Sequence, residues 1–140
     1  MATTSQLSGM RGVYLVAAEL VGHSFVVSVT SRSAAGADLL VTTPDVRRAW
    51  SVQVKATVKP TVRAHARYFL LGREAHQLRA PSRVYVFVSI RREGAQFYVV
   101  PSRVVARHVR VSPRPKSTWY AWVKQERYRD AWYLFGRPER

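Results

Sequence analysis

Apolar residues recur at steps of three and four from residue 9 to residue 21, at Val13, Val16, Ala17, Leu20 and Val21. That spacing predicts a helix over 9–21, with Ser8 placed to cap it and Gly22 to end it in the left-handed conformation. Residues 1–8 are small and polar and are expected to be poorly ordered. The period then changes. Short β-branched runs at 24–30, 38–42 and 50–57 predict three strands, separated by a small-residue loop and by a turn at Pro44-Asp45. Pro60 breaks the pattern, and 61–80 reads as loop with a short helix around 64–71. Residues 84–90 are an unbroken apolar run, as expected of a strand covered on both faces. A turn containing Gly94 leads to a returning strand at 96–100, and Pro101 opens a helix that runs to His108. Residues 112–117 read as loop, and the aromatic stretch 119–134 as a final helix closed by Gly136.

Helix first, then strands, then a strand pair and a helix argue for an α/β (α+β) fold. The expected core is a central mixed sheet of about five strands flanked by helices, in one domain over 1–140 with an aromatic helical extension at 112–140. No apolar run reaches the roughly 18 residues of a membrane span. The first residues lack the basic-then-apolar pattern of a signal peptide, so a cytoplasmic protein is expected. The chain has no cysteine, which excludes disulfides and thiolate metal sites.

Charge changes the picture. There are 23 Lys and Arg against 8 Asp and Glu, a net charge of +15. Most of the positives are Arg, which suits bidentate phosphate contacts. Nucleic acid, DNA foremost, is therefore the expected partner. The positives are spread along the chain and not gathered on one amphipathic helix, which disfavours a membrane surface.

With acids so few, their positions are informative. Asp38 opens the strand Asp38-Leu39-Leu40-Val41, and the next strand carries Ser51-Val52-Gln53-Val54-Lys55. Side chains alternate along a strand, so Gln53 and Lys55 share a face. If the two strands pair as a hairpin, Asp38, Gln53 and Lys55 converge where a divalent metal and a scissile phosphate could be held. Mg²⁺ takes oxygen ligands and keeps several waters, so a carboxylate, an amide oxygen and the backbone carbonyl of Val54 would suffice.

The helix with its Glu, then Asp-Leu-Leu-Val, a turn and Val-Gln-Val-Lys resembles the PD-(D/E)XK nuclease superfamily, which includes restriction endonucleases and archaeal Holliday-junction resolvases. The resemblance runs from about Gly12 to Ile90, and residues 97–106 are similar to the strand-helix ending of small members. It implies a restriction-endonuclease-like core of helix, three antiparallel strands, helix and a further strand. It also implies Mg²⁺- or Mn²⁺-dependent phosphodiester hydrolysis. Asp38 matches the first motif acid, a metal ligand. Gln53 stands where the second acid is usual. Lys55 matches the motif lysine, which would activate water and stabilise phosphate charge. Glu19 matches the additional helix acid. Ala37 stands where many members have Pro.

The remaining features fit around that site. Arg32, Arg47 and Arg48 are expected to flank it, and Lys59, Arg63, Arg67 and Arg73 to track a nucleic-acid backbone. The four histidines have no metal-ligand spacing, and no serine-hydrolase elbow or phosphate-binding glycine loop is present. The C-terminal aromatics read as core, with a homodimer expected if part of the stripe stays exposed. Two rival readings are a non-catalytic nucleic-acid-binding module on the same fold and an interaction protein that binds an acidic partner.

Overall fold

The computed structural model describes residues 3–31, 37–58, 68–76, 79–112 and 118–136. Helix α1 (Thr4–Gly22) leads into β1 (Val26–Val29), β2 (Leu39–Thr42) and β3 (Ala49–Val58). Strand β4 (Tyr68–Leu71) and a 3-10 turn at Arg73–His76 follow. Then come β5 (Arg83–Arg91), β6 (Gly94–Pro101), helix α2 (Ser102–His108), β7 (Arg110–Ser112) and β8 (Trp119–Val123). Two 3-10 turns, Glu126–Tyr128 and Trp132–Phe135, complete the described chain.

Helix α1 starts earlier than the apolar spacing predicts, because a capping box nucleates it. The Thr3 hydroxyl accepts the Gln6 N–H at 3.2 Å, and the Gln6 side-chain oxygen accepts the Thr3 N–H at 2.8 Å. Residues 4–8, expected to be poorly ordered, are therefore helical. The helix ends at Gly22, but the positive φ falls at Ser24 (71°) and not at the glycine.

The main sheet has the order β1-β2-β3-β5-β6. Only the β3–β5 pairing is parallel; the others are antiparallel. This is the mixed five-stranded sheet that the strand pattern predicts. Strand β5 is buried over Val84–Ile90, as expected of a central strand covered on both sides. On one face, Val16 and Leu20 of α1 pack against Val52, Val54, Val86 and Val88, and Phe25, Trp50, Trp132 and Phe135 extend that layer. On the other face, Phe69, Tyr85, Phe87, Tyr98, Val105 and Trp122 form a second core. The Phe87 and Trp122 rings stack there at 4.6 Å.

The segment 119–134 is not a helix. Its first part, β8, is the middle strand of a second sheet of order β4-β8-β7. Backbone pairing on both sides, with Trp122 fully buried, overrides the three-residue spacing of tryptophans that suggested a helix. Tyr68–Leu71 is likewise a strand; the rest of the short helix expected at 64–71 lies outside the described residues. The helix expected between the third and fourth core strands is not seen among the described residues, where that connection holds β4 and a 3-10 turn. No described helix is long and apolar enough to cross a membrane.

Candidate active site

Strand β2 leaves β3 at Asp38, and the aspartate bridges the opening. Its own N–H donates to the Val52 carbonyl at 2.8 Å. Its carboxylate Oδ2 accepts the Val54 N–H at 2.7 Å. Asp38 is thus held by the two residues that flank Gln53. The carboxylate takes a ladder position that β2 no longer fills, and Oδ1 has no hydrogen-bond partner among the described residues. Thr30 closes the other side: its N–H donates to the Asp38 carbonyl at 3.0 Å and its hydroxyl to the Ala37 carbonyl at 2.6 Å.

Gln53 and Lys55 project from the β3 face opposite Val52 and Val54, which face α1. The Gln53 amide oxygen is buried and has no hydrogen-bond partner among the described residues. Lys55 is half-buried and lines a hollow of about 360 Å³ with Ser5, Thr57 and Phe69. A second hollow, also of about 360 Å³, lies over Asp38 and Val54 beneath Gln6, Gly9, Met10 and Tyr14. The first half of α1 therefore roofs the second hollow, and its Ser5 reaches the edge of the first.

Glu19 does not join this group. It is exposed near the C-terminal end of α1, nine residues past Met10 in the roof. At 1.5 Å per residue that is about 14 Å along the axis. The short connection from α1 to Val26 places this end of the helix beside the Val26–Thr42 pair, at the opposite end of β2 from Asp38. Among the described residues, no cluster of three His, Asp or Glu is placed to hold a metal.

No family model matches the chain, and no curated protein matches it. Its fold is found in a solved structure, that of the bacterial homing endonuclease I-Ssp6803I. The two superpose with a TM-score of 0.61 at 18% sequence identity, over 96% of this chain and 91% of that one. The chain has a nuclease-like fold.

On this nuclease-like fold the basic residues are not all where the sequence suggests. Arg47 and Arg48 do not flank Asp38. They sit at the far end of the β2–β3 hairpin, beyond the Thr42–Ala49 pair. Arg47 is 3.8 Å from the Asp45 carboxylate, and the Arg48 guanidinium lies 4.9 Å from the Trp50 ring centroid. Arg73 is exposed on the 3-10 turn after β4. Arg32, Lys59, Arg63 and Arg67 lie outside the described residues.

The structure adds residues that the motif does not contain. Ser5 and Gln6 reach the site because the capping box extends α1 towards it. Thr3-x-x-Gln6 was the available signal. Tyr85 is the register partner of Gln53 on β5. Burial raises its hydroxyl pKa, and the negative charge of Glu74 adds to that, against the opposing charge of Arg83. The phenol therefore stays neutral and protonated beside Gln53.

Proposed function

We propose that the chain is a DNA nuclease of the PD-(D/E)XK type that hydrolyses phosphodiester bonds with the help of a divalent metal. The observation that carries this reading is the double hold of Asp38 on Val52 and Val54, which ties the carboxylate to the stretch of β3 that carries Gln53 and Lys55. The shared fold with a homing endonuclease supports it.

The donor set suits a hard cation. One free carboxylate oxygen and a buried amide oxygen without a partner are oxygen donors, and Mg²⁺ or Mn²⁺ needs few protein ligands because it keeps its waters. Asp38, Gln53 and the Val54 carbonyl would hold the ion, directly or through those waters. When bound, it would neutralise charge at the scissile phosphate and lower the pKa of an attacking water. Lys55 sets a compact positive charge on the same strand, where it orients the water and meets the charge that develops on the phosphate. The net charge of +15 attracts DNA without choosing a sequence. Two copies acting as a homodimer would allow both strands to be cut.

One observation favours a second reading, a non-catalytic DNA-binding module. Gln53 is neutral and Glu19 is remote, so Asp38 is the carboxylate of the described site. Incubation of labelled DNA with the purified protein and Mg²⁺ or Mn²⁺ separates the two. Metal-dependent cutting that Asp38→Asn abolishes supports the nuclease. Salt-sensitive binding without cutting supports the module.

A further inference from the structure

The two sheets meet across the core that holds Phe69, Phe87 and Trp122. Lys124 stands two residues past Trp122, at the end of β8, and projects to the same side. Its Nζ lies 5.1 Å from the Phe69 ring centroid and 5.8 Å from that of Tyr98. Phe69 also lines the hollow that holds Lys55. Lys55, Phe87 and Tyr98 form one row across β3, β5 and β6. Lys124 thus sits over the far end of the row that Lys55 begins, two strand spacings or about 10 Å away. Beyond that row the apolar filling stops. The next row is Thr57, Ser89 and Gln96, and Arg91 follows on the same face of β5. The Ser89 hydroxyl is buried there without a hydrogen-bond partner among the described residues.

Arg91 and Lys124 are both half-buried, and neither makes an ion pair with a carboxylate among the described residues. Burial lowers the Lys124 pKa, and the nearby charge of Arg91 lowers it further, against the opposing effect of Glu126. Glu126 has other partners: it lies 3.7 Å from Arg129 and accepts the Tyr98 hydroxyl at 3.3 Å. Two cations held close, one of them fixed over aromatic rings, repel each other until an anion joins them. We infer that Lys124 and Arg91 form a phosphate site that holds the nucleic-acid backbone about three nucleotides from the phosphate at Lys55. The span of about 10 Å from Lys55 is three steps of the roughly 3.4 Å rise per nucleotide along one strand. An ammonium and a guanidinium side by side suit phosphate oxygens. The two residues position the substrate: they set which bond of the strand reaches Lys55. This inference rests on the reading of Lys55 as part of the nuclease site.

The test is binding of a labelled DNA duplex to the full chain in chelator, over a series of salt concentrations. Lys124→Met keeps the apolar stem over Phe69 and Tyr98 and removes the charge. Lys124→Met and Arg91→Gln should each weaken binding about tenfold at low salt and lower the slope of log affinity against log salt by about 1, and the double variant should lower it by about 2. Lys124→Arg should keep the wild-type slope. Arg47→Gln, which removes a charge at the far end of the β2–β3 hairpin, should bind within about twofold of wild type. Thermal melting is run beside each titration, and Arg91→Gln carries the test if Lys124→Met lowers the melting temperature. Wild-type affinity and slope in the folded variants, or an equal loss in Arg47→Gln, would overturn the inference. So would inorganic phosphate that, at constant ionic strength, stabilises the wild type but not Lys124→Met while both bind DNA alike, because the occupant would then be a free phosphate. Cleavage with Mg²⁺ is scored separately. Cutting by the wild type with unchanged binding in the variants overturns the inference and leaves the nuclease reading standing. Weakened binding in the variants without any cutting by the wild type supports the phosphate site and overturns the nuclease reading. No DNA affinity at low salt overturns both.

Discussion

Gly12 is a point of close approach between α1 and β3, and adding one methyl group there tests how the helix is seated over the site. A Cβ at Gly12 would lie 2.5 Å from the Ala56 Cβ and 3.5 Å from Val54 Cγ1. Carbon atoms pack best at about 3.7 Å, so Gly12→Ala demands a separation of about 1.2 Å. The Ala56 Cβ cannot rotate away, since it is fixed to its strand. Helix propensity alone would favour alanine by about 1 kcal/mol. Overpacking of this kind costs about 1–3 kcal/mol. The net effect is a loss of up to about 2 kcal/mol, or a fall in melting temperature of up to about 7 °C for a chain of this size. Gly9 is the control. It is on the same helix with nothing within 4 Å of its added Cβ, so Gly9→Ala should raise the melting temperature by about 3 °C. Lifting α1 also disturbs Val54, whose N–H holds Asp38, so cleavage by Gly12→Ala should fall. Thermal denaturation of the two variants decides the matter. A Gly12→Ala protein that is stabilised like Gly9→Ala would refute the seating of the helix on Val54 and Ala56.

Asp38→Ala strands the Val54 N–H and should cost about 1–3 kcal/mol in a denaturant titration, whereas Asp38→Asn keeps an acceptor and should stay within about 1 kcal/mol of wild type. Both should lose cleavage, and equal stabilities for the two variants would contradict the hydrogen bond. Lys55→Met should lower the cleavage rate far more than DNA binding, and change the slope of log affinity against log salt by no more than about 1; a collapse of binding would make Lys55 an anchor and not a working group. At the distal turn, the Thr43 hydroxyl donates to Asp45 at 2.6 Å and, with the Arg47 N–H, holds that carboxyl below its ordinary 3.8. A depressed acid contributes stability above its unfolded pKa and loses it as pH falls through the folded value, so the contribution belongs above about pH 4 and fades below it. Thr43→Ala should move the Asp45 value back towards 3.8 in a carboxyl NMR titration; an unchanged value would mean that the Thr43 bond is not its main cause.

The parts of this molecule that were legible in its sequence are those governed by local pattern. The β-branched runs gave β1, β2 and β3 their places, and the unbroken run at 84–90 marked the strand buried on both faces. Asp38, Gln53 and Lys55 could be grouped because strand alternation and one hairpin relate them. Glu19 failed for a reason of direction. A motif says that a helix carries an acid, but only the short turn from His23 to Val26 and the antiparallel β1–β2 register say which end of the helix lies over Asp38. The same logic applies to Arg47 and Arg48, near in sequence to Ser51 yet at the far end of the hairpin. The C-terminal misreading has a tertiary cause: the aromatics of 119–123 are spaced for a helix, but β4 and β7 supply partners that the local sequence does not contain. Tyr85 carried no signal at all, because its place beside Gln53 depends on a parallel pairing between strands some thirty residues apart.

The most direct test of the account is cleavage of a labelled DNA panel, of duplex, single strand, flap and four-way junction, by the wild type and Asp38→Asn in Mg²⁺, Mn²⁺ and chelator. The account predicts cutting of at least one substrate by the wild type, dependent on metal and absent in the variant. Cutting that persists in Asp38→Asn or in chelator, or no cutting of any substrate, would contradict it.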